Sequence, residues 1–181
     1  MDSGFKEYSW TKLRGDRWEK GIGIEVRWFD ESFLEVSFSC SNGRFSGQAE
    51  IYLAHDTLST LADALIGFPA NPNDSCKSKL GTFKPEHADG GVRMYSHCMD
   101  SVGHAAVDIQ LRGDACTELG EIESVALRIP IQAASVDSFI KELRMIDKTI
   151  GATAYLQIGK IKERGLVFLS KDSTATVPAE P

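Results

Sequence analysis

The chain predicts an α+β fold: a mainly antiparallel sheet of six to eight strands with two amphipathic helices, built from two βββα-like units. Three observations carry this reading. Apolar and polar residues alternate over short runs, the mark of strands with one dry face. Ile51 and Leu53 hand over to Leu58, Leu61 and Leu65, a period of two turning into a period of three to four as a strand enters a helix. The same spacing recurs 78 positions on, where Ile129 and Ile131 lead into Val136, Phe139 and Leu143. Long uninterrupted apolar strands, which a doubly wound parallel sheet requires, are absent.

In chain order, residues 1–20 mix Phe5, Tyr8, Trp10 and Trp18 with charges, as an N-terminal arm or short helix. One domain is expected over 21–160, with units 21–68 and 90–151. Gly21–Trp28 alternates as a first strand, and Asp30, Glu31 and Ser32 turn the chain. Leu34, Val36, Phe38 and Cys40 share the inner face of a second strand. Asn42-Gly43 tolerates positive φ and signals a hairpin. The return strand, Arg44–Leu53, points Phe45, Ala49, Ile51 and Leu53 inward, with Gly47 on that face marking a bulge or a close backbone approach.

Asp56 is placed to cap a helix from Thr57 whose buried stripe is Leu58, Leu61, Ala62, Leu65 and Ile66. Gly67 and Pro69 end it. Asn71–Asp89 reads as a long loop. In the second unit Val92, Met94, Ser96 and Cys98 face inward, and Asp100-Ser101-Val102-Gly103 makes the turn. If Met99 pairs with His104, the return strand turns Ala105, Val107, Ile109 and Leu111 inward. Ser124–Gln132 contains Pro130, which cannot donate to a ladder and implies a sheet edge. Ser135 is placed to cap the second helix, with Phe139, Ile140, Leu143, Ile146 and Ile150 as its stripe and Gly151 closing it. Ala152–Ile158 forms a last strand. Gly165–Leu169 is weaker, and 161–181 ends in a disordered tail.

Composition bounds the function. At 42% hydrophobic and 25% charged the chain is globular rather than disordered. No run approaches the ~18 apolar residues of a membrane span, and the polar start lacks a signal-peptide core, so a cytoplasmic protein with no membrane partner is expected. The net charge of −6 has no basic run within it, so nucleic acid is not expected, and mild acidity favours a basic partner. Cys40, Cys76, Cys98 and Cys116 are scattered without a C-x-x-C pair, as reduced thiols.

The polar constellation that stands out is the outer face of the second hairpin. There Arg93 lies across from Gln110, Tyr95 from Asp108, and His97 near His104, as a binding patch. The plain alternative is the wet face every such sheet must have. His87, His97, Cys98 and His104 match no zinc spacing, and adjacent strand residues point to opposite faces, so neither metal nor cofactor is expected. Gly43-Arg44-Phe45-Ser46-Gly47 has its serine one position late for a hydrolase elbow. Gly21-Ile22-Gly23 precedes a strand instead of following one, and fails as a dinucleotide fingerprint. His55-Asp56 is a capping neighbourhood, and the tryptophans at 10, 18 and 28 read as core plugs.

Ser41–Gly47, Leu65-Ile66-Gly67-Phe68-Pro69, Leu80-Gly81-Thr82-Phe83, Gly90–Met94 and Asp100–Ala105 resemble the motifs of a family of small bacterial α+β proteins. Some of its members are labelled as immunity proteins against wall-associated, contact-delivered toxins. The likeness spans about residues 25–150. It implies a non-enzymatic binding protein, an immunity-type inhibitor with a toxin as protein partner, and it carries over no catalytic residue. Two other readings stand beside it. One is a small-molecule module with a pocket between the two units. The other is an enzyme using Tyr95, His97 and Asp108. A sheet edge leaves room for homo-oligomers.

Overall fold

The computed structural model describes residues 20–84, 90–102, 104–113, 123–146 and 149–158. Eight strands and two helices follow in the order β1 (Gly21–Phe29), β2 (Phe33–Ser41), β3 (Ser46–Ala54), α1 (Thr57–Leu65), β4 (Ser75–Gly81), β5 (Gly91–Cys98), β6 (Ala105–Arg112), β7 (Ser124–Ile131), α2 (Ala133–Met145) and β8 (Thr153–Gln157). The fold is α+β and every strand pairing is antiparallel.

The strands form two sheets of four, β3-β2-β1-β8 (sheet A) and β4-β5-β6-β7 (sheet B), where a single slab was expected. The cause is a strand exchange between the units. β4 follows α1 in the chain yet pairs with β5, the first strand of the second unit. β8 follows α2 yet pairs with β1, the first strand of the first unit. Each unit is therefore a βββαβ module whose last strand completes the other module's sheet. Equivalent rows confirm the repeat: Leu156 lies opposite Ile22 as Leu80 lies opposite Val92.

The inner faces of both sheets and the stripes of both helices merge into one apolar cluster. Phe38, Ile24, Ile51 and Val36 from sheet A meet Leu80, Val92, Val107 and Ile129 from sheet B, with Phe139, Val136 and Leu143 from α2. A helix as short as α1 is marginal alone in water, so Leu58, Leu61, Ala62 and Leu65, all buried, hold it by packing. Full burial of side chains such as Phe38 or Phe139 contributes about 1.5–3 kcal/mol each. Gly47 is a close approach: a Cβ there would stand 2.5 Å from Val125 Cγ1 and 3.0 Å from Leu111 Cδ2, where β3 crosses the end of sheet B.

Several expectations change. Ser75–Gly81, read as loop, is β4: Cys76, Ser78 and Leu80 turn inward and Lys77 and Lys79 outward, an alternation hidden by its weak apolarity. Phe45 belongs to the turn and is 66% exposed, because the Asn42 N–H donates to its carbonyl and Asn42 Oδ1 accepts its N–H. Trp28 is exposed rather than a plug, because a bulge between Val26 and Trp28 moves it to the outer face opposite Glu35.

The helix ends shift as well. Asp56 is the N-cap, but through its carbonyl, which accepts from Thr60 N–H and Ser59 Oγ; its side chain makes no cap bond. Gln132 rather than Ser135 sits at the start of α2, so Ser135 lies inside the first turn. Ile66 and Ile146 leave helical geometry as C-caps, which exposes Ile66 and strands Ile150 beyond the helix, also exposed. Pro130 lies on β7, an edge strand, as expected. The arm before residue 20, Trp10, Trp18, His87, Gly165–Leu169 and the tail lie outside the described residues.

Candidate functional site: the outer face of sheet B

Four strands build this face row by row. One row runs Lys79, Arg93, Gln110 and Ala126; the next runs Lys77, Tyr95, Asp108 and Arg128; a third runs Ser75, His97, Ala106 and Pro130. The Arg93–Gln110 and Tyr95–Asp108 pairings are those the hairpin turn implied, with Met99 N–H donating to the His104 carbonyl at 2.7 Å.

Asp108 is the centre of an ion-pair network. Arg128 grips it with both arms of its fork, Nε to Oδ1 at 2.5 Å and Nη2 to Oδ2 at 2.8 Å. His97 Nε2 lies 3.2 Å from Oδ2 and its Nδ1 lies 3.1 Å from the Cys98 carbonyl. Each ring nitrogen thus has one oxygen within reach. The hydrogen bonds from Arg128 hold the Asp108 carboxyl below its ordinary range, opposed by partial burial and helped by the Arg128 and His97 charges. The same pairing raises the Arg128 guanidinium.

Two rings are already engaged. Tyr95 stacks on His97 with centroids 5.0 Å apart and planes at 19°, and Lys77 Nζ lies 5.6 Å from the Tyr95 centroid. The Arg93 guanidinium rests over Phe83, 4.1 Å from its centroid, and its Nη1 donates to Gln110 Oε1 at 3.5 Å. Phe83 is itself tied down, because the buried Arg112 donates from Nη1 to its carbonyl. Arg112 Nε and Nη2 are buried without a partner among the described residues.

A groove of about 600 Å³ runs along this face, lined by Lys77, Lys79, Arg93, Tyr95, Asp108 and Gln110. Among the described residues no carboxylate lies within ion-pair distance of Lys77, Lys79 or Arg93. The face is thus positive on a chain of net charge −6. Sheet A carries Glu25, Glu35 and Glu50 at its outer positions, with Glu25 ion-paired to Arg27 and one Glu50 carboxylate oxygen buried.

Of the expected residues, the sheet gathers Arg93, Tyr95, His97, Asp108 and Gln110. His104 is elsewhere: its Nδ1 pairs with Asp100 Oδ2 within the turn, a local i,i+4 partner that outcompetes His97. Lys77, Lys79, Phe83 and Arg128 are additions; the Lys-Ser-Lys alternation after Cys76 is the signal that finds the two lysines.

Asp108, with both oxygens held by Arg128, is a poor proton acceptor near neutral pH. The interior pocket bounded by Ile22, Met94 and Phe139 amounts to about 10 Å³, room for one water at most, whereas open clefts of about 450 Å³ beside Gln48, Leu111 and Val125 and about 190 Å³ beside His55, Leu58 and Arg144 also lie between the two units. Among the described residues no three His, Cys, Asp or Glu groups are placed to hold a metal, and no helix is long and apolar enough to cross a membrane. No protein-family model, curated protein or solved structure matches the chain.

Proposed function

We propose that this is a non-enzymatic binding protein that engages a protein partner through the outer face of sheet B, in the manner of an immunity-type inhibitor of a bacterial toxin. The observation that carries the reading is the groove whose cations, Lys77, Lys79 and Arg93, have no carboxylate within ion-pair distance among the described residues. An exposed face with unspent charge is complementary to an acidic surface, and such complementarity steers association and fixes the partner. Strands about 4.8 Å apart and about 3.3 Å per residue make the face roughly 20 by 25 Å. Side-chain relief brings that area near the ~800 Å² per partner of a stable complex.

The two modules support the same reading. Equivalent inner positions stay apolar in both, Ile51 with Ile129 and Leu65 with Leu143, while equivalent outer ones diverge, Glu50 against Arg128 and Glu25 against Tyr95. One scaffold thus carries two outer faces of different chemistry. The test is co-expression with the product of the gene adjacent to this one, and calorimetry of the purified pair. Protection of cells and a tight one-to-one complex, both weakened by Lys79→Glu with Arg93→Glu, are expected. Unprotected cells and no complex contradict the reading.

A further inference from the structure

We infer that Arg93 is the anchor of this face and that its occupant is a carboxylate-bearing segment of a partner protein; the inference rests on the binding reading above. Two arginines reach the exposed middle of the face, and they differ in what remains to them. Arg128 spends its fork on Asp108. Among the described residues Arg93 makes one long hydrogen bond, to Gln110, and its guanidinium rests over Phe83. Its other N–H donors have no partner among the described residues, and the fork of a guanidinium takes a carboxylate two-pronged.

The guanidinium is supported in advance. Phe83 supports it from below, and Arg112 pins the Phe83 carbonyl, so little rotamer freedom is lost when a ligand arrives. Lys79 is the ladder partner of Arg93, and Lys77 projects from the same side of β4 two residues away. Together they offer a line of positive charge along the groove, matched by an extended acidic segment rather than a single anion. Single-stranded nucleic acid fits less well. It needs open ring faces on which bases stack, and here Phe83 is covered by Arg93 while Tyr95 is stacked on His97.

The probe is a hexaglutamate peptide titrated into the ¹⁵N-labelled full chain at low salt, with hexalysine and hexathymidylate as comparisons. Amide shifts centred on Lys77, Lys79, Arg93 and Gln110 are expected with hexaglutamate alone. Arg93→Gln weakens that binding about tenfold, and Arg93→Lys, which keeps the charge and loses the fork, weakens it severalfold. An otherwise unchanged spectrum certifies the fold of each variant. The inference is overturned by shifts that avoid this face, by shifts that survive Arg93→Gln, or by stronger binding of hexathymidylate. Self-association of the free chain abolished by Arg93→Gln overturns it too, assigning the face to a second copy. Binding at Arg93 in a chain that fails to protect against the toxin removes the immunity reading alone. Protection undiminished by Arg93→Gln removes this inference alone.

Discussion

The guanidinium of Arg93 lies over the ring of Phe83, 4.1 Å from its centroid, so a residue just beyond β4 sets the attitude of a cation on β5. A cation over an aromatic face at an exposed site is worth about 0.5–1 kcal/mol. Replacing Phe83 by Leu keeps an apolar support and removes the ring's negative face. The expected result is a two- to fivefold loss of affinity for the proposed acidic partner by calorimetry, with little change in Tm. Unaltered affinity would show that Phe83 only packs.

Asp108 predicts a pH signature. Its carboxyl is held below the ordinary 3.8, chiefly by hydrogen bonds from Arg128. A depressed folded-state value means a contribution fully present above the unfolded-state value and lost as pH falls through the folded one. With the Asp108 side chain 37% exposed, solvent screening limits that contribution to at most about 1 kcal/mol. Asp108→Asn therefore lowers stability at pH 7 by that order and flattens the acid limb below pH 4, in denaturant melts across pH. Asp30, Asp74 and Asp100 are depressed too, so the readout is the difference between variant and parent.

Gly47 has no room for a side chain, its imagined Cβ standing 2.5 Å from Val125 Cγ1. Gly47→Ala is expected to cost about 1–3 kcal/mol by overpacking. Val125→Ala removes the clashing methyl, and the double variant is expected to recover a large part of the loss. Additive costs in urea melts would mean that the two residues do not meet.

The exchanged strands make each half incomplete. Expressed separately, 1–84 lacks the strand that borders β1, and 85–181 lacks the one that borders β5. Neither half is expected to show a cooperative melt, whereas the two co-expressed are expected to co-purify as a one-to-one complex. A folded single half, seen by dispersed amide resonances, contradicts the exchange.

The legible and illegible parts of the fold have different physical origins. Alternation tells which side of a strand is dry, and so the inner faces of Val92–Cys98 and Ala105–Leu111 were readable, as were both helix stripes. It does not tell which strand is the neighbour, and hence the exchange of β4 and β8, with the division into two sheets, was not. β4 itself escaped because its inward residues are Cys76, Ser78 and Leu80, with only one strong hydrophobe. The same gap hid half of the site. Arg93, Tyr95, Asp108 and Gln110 share a hairpin and could be aligned from its turn, whereas Lys77, Lys79 and Arg128 join them only through pairing with β4 and β7. His104 was misplaced because a partner four residues away competes with any cross-strand one.

Lysine footprinting tests the proposed contact surface most directly. The chain is reductively methylated alone and in complex with the proposed partner, and modification is read by mass spectrometry at Lys77 and Lys79 on the face and at Lys141 on α2. Strong protection of Lys77 and Lys79 with Lys141 still reactive is the predicted result. Equal reactivity of Lys77 and Lys79 in the free and bound chain would place the partner elsewhere and contradict the account.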